Sequence, residues 1–134
     1  MEISTGPDSV RTGITRCVAA CDALVAVSED CADACLRIEG NGDVTRCFLA
    51  DLDCIEVCSS TSRLLSWHSR SDGPTTTAQL ETCQEAARAS MAACEYLADL
   101  RPGWQTCSMA CRRVDEACGR LLAVLRKSAG KSAP

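Results

Sequence analysis

Histidine is almost missing from this sequence: His68 is the only one in 134 residues. A lone imidazole, set apart from any cysteine it could activate, leaves no nucleophile arrangement for hydrolysis or acyl transfer. The chain therefore reads as a protein that is not an enzyme. No CxxC occurs anywhere, which removes the usual zinc-ribbon, thioredoxin-like and ferredoxin signatures. No apolar run approaches the roughly 20 residues that a membrane span requires. Lysine and arginine are scattered, the formal net charge is -4, and no basic face is available to phosphate backbones. Membrane and nucleic acid are thus excluded as partners. The amino terminus, "MEISTGPDSVRTGITRC", has acidic, glycine and proline residues where a secretory signal needs a basic start and an apolar run. The expected protein is soluble and cytoplasmic.

Aromatic residues are few, with one phenylalanine, one tyrosine and two tryptophans, whereas cysteine is abundant at 12. A reducing cytosol keeps thiols free and disfavours a disulfide framework. The cysteines are also ordered. In "CVAACDALVAVSEDCADAC", Cys17, Cys21, Cys31 and Cys35 form two CxxxC pairs two heptads apart, with no glycine or proline between them.

Helical periodicity organises the chain into four segments, at about residues 9–39, 44–69, 76–100 and 104–126, separated by short runs with breakers. Gly40 suits the position after the first helix and Asp43 the cap of the second. Thr76 and Gln79 have the spacing of a capping box at the start of the third. Residues 127–134 read as a flexible, solvated tail. β-branched residues are dispersed at helical spacing, which leaves little support for strands. Four helices of similar length with short connections predict an all-α fold, an antiparallel up-down-up-down four-helix bundle in a single domain over residues 1–134.

A helix turns by about 100° per residue, so steps of 3, 4, 7, 11 and 14 return to one face. The first helix gives the stripe Val10, Ile14, Cys17, Cys21, Leu24, Ser28, Cys31, Cys35, Ile38. The second gives Cys47, Asp51, Cys54, Cys58, Thr61, Leu65, His68. The third gives Leu80, Cys83, Ala87, Ser90, Cys94, Leu97, and the fourth Cys107, Cys111, Val114, Cys118, Leu122, Leu125. Every cysteine lies on the stripe expected to face the bundle axis. Cysteine is a common small core residue, but each one here stands where Leu or Ile would bury more surface. The forfeit is on the order of 1 kcal/mol per site. Over twelve sites that rivals the net stability of a small domain, so something other than the empty fold selects them.

Disulfides within each CxxxC fit poorly. Residues at i and i+4 hold their β-carbons about 5 to 6 Å apart, against roughly 3.5 to 4.5 Å in a relaxed bridge. A soft metal ion fits better, and thiolates select Cu(I), Zn(II) or iron–sulfur clusters. Tetrathiolate zinc sites would each bury excess negative charge, and the stripes supply no lysine or arginine. A monovalent ion at roughly one per thiolate gives a neutral core, and Cu(I) is that ion.

Threading the helices antiparallel sends Cys31, Cys35, Cys47, Cys94, Cys107 and Cys111 toward the end with the first and third connections. Cys17, Cys21, Cys54, Cys58, Cys83 and Cys118 fall toward the other end. This is a column of thiols, suited to capacity. His68, at the last turn of the second helix, is either a solvated residue on the helix dipole or a ligand at the mouth of the core. Asp51 reads as a partly exposed carboxylate. Met91, at the stripe's edge, and Met109, facing away from it, read as filler.

A bundle whose inward stripes carry "CVAAC", "CADAC", "CIEVC" and "CSMAC" resembles the cytosolic bacterial copper storage proteins of the cysteine-rich four-helix-bundle family, over roughly residues 10–125. The resemblance implies storage of several Cu(I) ions by inward thiolates, a histidine guiding metal at an open end (here His68), and assembly as a homotetramer. The leading expectation is a Cu(I) store or buffer with metal ions as its partners. Two rivals stand beside it: an iron–sulfur-cluster electron-transfer or sensor protein on the same thiols, and a non-metal thiol redox or interaction bundle.

Overall fold

The computed structural model describes residues 7–38, 42–67, 73–98 and 103–132. Four α-helices fill those spans: α1, Pro7–Leu36; α2, Gly42–Trp67; α3, Pro74–Ala98; α4, Trp104–Ser132. Pro7 and Pro74 each open a helix, where a missing N–H costs nothing and a fixed φ favours the helical turn. α1 closes through tightened bonds from the Arg37 and Ile38 amides to the Ala34 and Cys35 carbonyls, the 3₁₀-type ending common at helix termini.

Three boundaries differ from the sequence reading. α2 begins at Gly42, so Asp43 lies in its first turn and is not its cap. Thr76 does not cap α3, because the helix begins at Pro74 and Thr76 is buried inside its first turn. The Gln79 amide, freed from a capping box, donates instead to the Val57 carbonyl and the Thr61 hydroxyl of α2. α4 runs to Ser132, beyond the expected end near 126 and into the expected tail. The residues after Arg126 are mostly compatible with a helix, and Gly130 alone is too weak a breaker to stop one already propagating. The expected positions of Gly40 and His68 lie outside the described residues.

Each helix packs on its neighbours in the chain, and α4 closes back on α1. α2 and α4 therefore face each other across the axis, as do α1 and α3. The register is antiparallel throughout: Cys21 of α1 meets Cys58 of α2 while Cys35 meets Cys47, and Cys58 meets Cys83 of α3 while Cys47 meets Cys94. Polar contacts outside the core fix the same register. Ser62 donates to Asp22 at 2.7 Å, and Gln84 and Arg88 of α3 both bond Asp115 of α4 at 3.0 Å.

One end of the core is ordinary. One or two turns beyond the cysteines lie Leu65, Leu80, Leu121 and Leu122, none more than 3 % exposed. Gly13 of α1 lets α4 come close there, since a β-carbon on it would meet Leu121 Cδ1 at 3.0 Å. Val44, Leu97 and Trp104 cover the other end, and most of the core between is lined with sulfur. No helix is long and apolar enough to cross a membrane among the described residues.

Candidate metal centre

All twelve cysteines are buried and unbridged. The stripe periodicity is the cause, since each step of three or four residues returns the next thiol to the axis. Ten of the twelve collect into two nests. In the deep nest, beside the leucine end, Cys17, Cys21 and Cys118 have sulfurs within 4.8 Å of one another, and Cys21 also groups with Cys58 and Cys83. The sulfurs of Cys17 and Cys118 are 3.3 Å apart, those of Cys21 and Cys83 3.7 Å. In the outer nest Cys31, Cys94 and Cys107 surround Asp51, and Cys35 and Cys47 share the same carboxylate. Cys47 and Cys94 lie 3.7 Å apart.

Asp51 is fully buried, not partly exposed as the sequence reading had it. The Cys107 thiol donates to its Oδ1 at 3.6 Å, and Oδ2 has no hydrogen-bond partner. Its place in the stripe between Cys47 and Cys54 carried the signal. The general preference of carboxylates for water pointed the other way. Burial, followed by repulsion from Cys107 and Cys47, pushes its carboxyl up to about 9. No buried lysine or arginine balances it among the described residues.

The thiols divide into proton donors and acceptors. In the deep nest, hydrogen bonds from Cys118, Cys21 and Cys58 pull the Cys83 thiol down, and bonds from Cys118 and Cys21 hold Cys17 at about 5. Their donors move oppositely: Cys21 is pushed up by hydrogen bonding to Cys118, Cys17, Cys58 and Cys83 and by burial. The outer nest repeats the pattern, with Cys107 pulled down by Cys111, Cys31 and Cys94 and Cys47 lowered to about 4 by Cys31 and Cys94. Cys35, at the rim, is pushed up to about 12, mainly by burial and then by the charges of Cys47 and Asp51. A thiolate ringed by thiol donors is a ready first ligand for a soft cation, and its neighbours can follow as protons leave.

Cys54 and Cys111 stand apart from both nests. The sequence reading sent them to opposite ends, yet the Cys111 thiol interacts with Cys54, and Cys54 donates to the Ala86 carbonyl of α3 at 3.4 Å. Each sits nearer the middle of the bundle than even division by end allows. His68 lies outside the described residues, while Met109 is exposed and Met91 packs at the core's edge.

The copper storage protein family model matches residues 10–123. Among solved structures, a cytosolic copper storage protein from Streptomyces lividans, captured during copper loading with five coppers, superposes with a TM-score of 0.80 at 34 % identity, covering 85 % of this chain and 95 % of that one. A second structure from the same organism, a copper storage protein loaded with 10 copper equivalents, gives a TM-score of 0.80 at 32 % identity and covers 92 % of each chain. Comparison with curated protein sequences finds no match.

Proposed function

The chain belongs to the copper storage protein family, and we propose that it stores copper as Cu(I), bound by all twelve cysteine thiolates along the bundle axis. One observation carries this reading: two nests of thiols, each built of two overlapping groups whose ligand atoms lie within 4.8 Å of one another, are enclosed in a core without a basic counter-charge among the described residues. Soft monovalent ions turn that core from thiols with a few thiolates among them into a set of neutral metal thiolates. Divalent ions on the same ligands would leave buried negative charge.

Loading exchanges protons for copper. Cys83 and Cys107, already pulled toward the thiolate by their neighbours, receive the first ion of each nest. The surrounding thiols then lose protons as further ions bridge them. Asp51 adds one oxygen donor to the outer nest. The role is non-catalytic, since the thiols serve number and not one reacting constellation. A cytosolic location is part of the proposal, supported by the description of the Streptomyces lividans relative. Association of several copies belongs to it as well, supported by the exposed Leu49 and Leu52 on α2.

The test is anaerobic titration of the reduced, metal-free protein with Cu(I), followed by thermal unfolding and elemental analysis. An ion that binds only the folded state raises the midpoint as its concentration passes the dissociation constant. A large rise with several copper ions retained per chain is the expected result. An unchanged midpoint and unchanged thiol reactivity in excess Cu(I), or a native preparation with visible iron–sulfur absorption and no copper, would overturn the reading.

A further inference from the structure

The two nests are separated by a gap that only two helices bridge. On α1 no cysteine occurs between Cys21 and Cys31, and on α3 none between Cys83 and Cys94. Those intervals are about 15 Å along each helix. They carry Leu24, Ser28, Ala87 and Ser90, all buried. α2 and α4 differ: each places a CxxxC across the gap. Cys58 belongs to the deep nest and Cys107 to the outer one, and their i±4 partners Cys54 and Cys111 each lie one turn nearer the middle, where Cys54 donates to the Ala86 carbonyl of α3. Cys111 lies one turn from Cys107, and Cys54 one turn from Cys58. Cys107, Cys111, Cys54 and Cys58 thus step across the waist on the two opposing helices.

The ends of the core are unequal. Every cysteine of the deep nest is 0 % exposed and backed by leucine, whereas Cys31 and Cys35 of the outer nest retain 7 % and 4 %. Val44, Leu97 and Trp104 cover the outer end as the leucines cover the deep one, but the residual exposure lies at the outer nest, and ions entering there cross the waist to reach the deep nest.

We infer that Cys111 and Cys54 form a relay that passes Cu(I) from the outer nest to the deep nest, and that the deep nest fills only through it. The inference rests on the copper-storage reading. At each step one Cu–S bond forms as another breaks. The receiving thiol gives its proton to the thiolate left behind, and copper remains Cu(I), so no electrons are exchanged. The α1 pairs Cys17/Cys21 and Cys31/Cys35 each stay within one nest and serve capacity. The pairs Cys54/Cys58 and Cys107/Cys111 serve passage.

Stopped-flow loading of the reduced full-length protein with Cu(I) chloride, followed by ultraviolet Cu–thiolate absorbance, tests this. The wild-type protein is expected to load in a fast and a slow phase, and Cys17→Ser with Cys118→Ser is expected to diminish the slow one, assigning it to the deep nest. Cys54→Ala with Cys111→Ala is expected to slow that phase by about tenfold or more while the fast phase holds and the copper retained at equilibrium falls only by the share of two thiols. Should the double variant not fold by circular dichroism, Cys54→Ala alone is read the same way. An unchanged slow phase, or a single phase in the wild-type protein, overturns the relay while leaving storage intact. Failure of the wild-type protein to take up copper overturns the storage reading itself.

Discussion

Replacing Asp51 by asparagine should make the metal-free protein more stable at neutral pH, although it removes a side chain from the centre of the core. The folded protein holds the Asp51 carboxyl at about 9, against an ordinary value of 3.8, chiefly because it is buried. A raised carboxyl pKa means that the folded state binds the proton more tightly than the unfolded state. Its contribution is therefore whole below about pH 4 and is lost as pH climbs toward 9. At pH 7 the chain has travelled about three units up that slope, about 4 kcal/mol at most. Partial solvation by the neighbouring thiols reduces this to about 2 to 4 kcal/mol. Asparagine keeps the shape and the Oδ1 that accepts from Cys107, and it has no proton to lose. Urea unfolding of both proteins in strong reductant, without metal, at about pH 4.5, 6 and 7.5 reads the difference. The curves should nearly coincide at the lowest pH and diverge as pH rises, with Asp51→Asn ahead by about 2 to 4 kcal/mol near neutral pH. A wild-type protein whose stability relative to the variant grows with pH would refute the reasoning, because it would mean that the buried carboxylate is ionised and stabilised by a partner.

Two further outcomes follow from the same core. Leu80→Ala opens a cavity at the leucine end and should cost about 2 to 5 kcal/mol in the metal-free protein, with copper capacity unchanged, as measured by chemical unfolding and elemental analysis. Brief alkylation of the native metal-free protein, mapped by mass spectrometry, should label Cys31 and Cys35 before any other cysteine. Labelling that begins at Cys17 or Cys118 would place the access route at the wrong end.

Much of the architecture could be read before any coordinates. The stripes of small and apolar residues repeat at helical spacing with few interruptions, and periodicity alone therefore brought Cys17, Cys58, Cys83 and Cys118 to the axis. What it could not supply was axial level. A helix stripe says which face a thiol occupies but not which thiol on the opposite helix it meets, and the offset between α2 and α4 is set by packing along the whole bundle. Cys54 and Cys111 were consequently divided between the two ends, although the fold brings them together. Asp51 shows a second limit. Its phase placed it inside, but a charge is ordinarily kept at the surface by its hydration, and only the sulfur-lined surroundings reveal that this one is kept neutral. The start of α3 was misjudged for a local reason: Thr76 has the chemistry of a cap, yet Pro74 two residues earlier is a better first residue for a helix.

The leucine layer that shuts one end of the column also fixes a sequence in time. On the proposed route, with entry beside Cys35 alone, the core empties in the reverse of the order in which it was filled, so the earliest ions to arrive at the bottom are the last to depart. Short fluctuations in demand would then be met from the shallow pool near Cys35, while the contents around Cys17 and Cys118 turn over slowly, as a reserve.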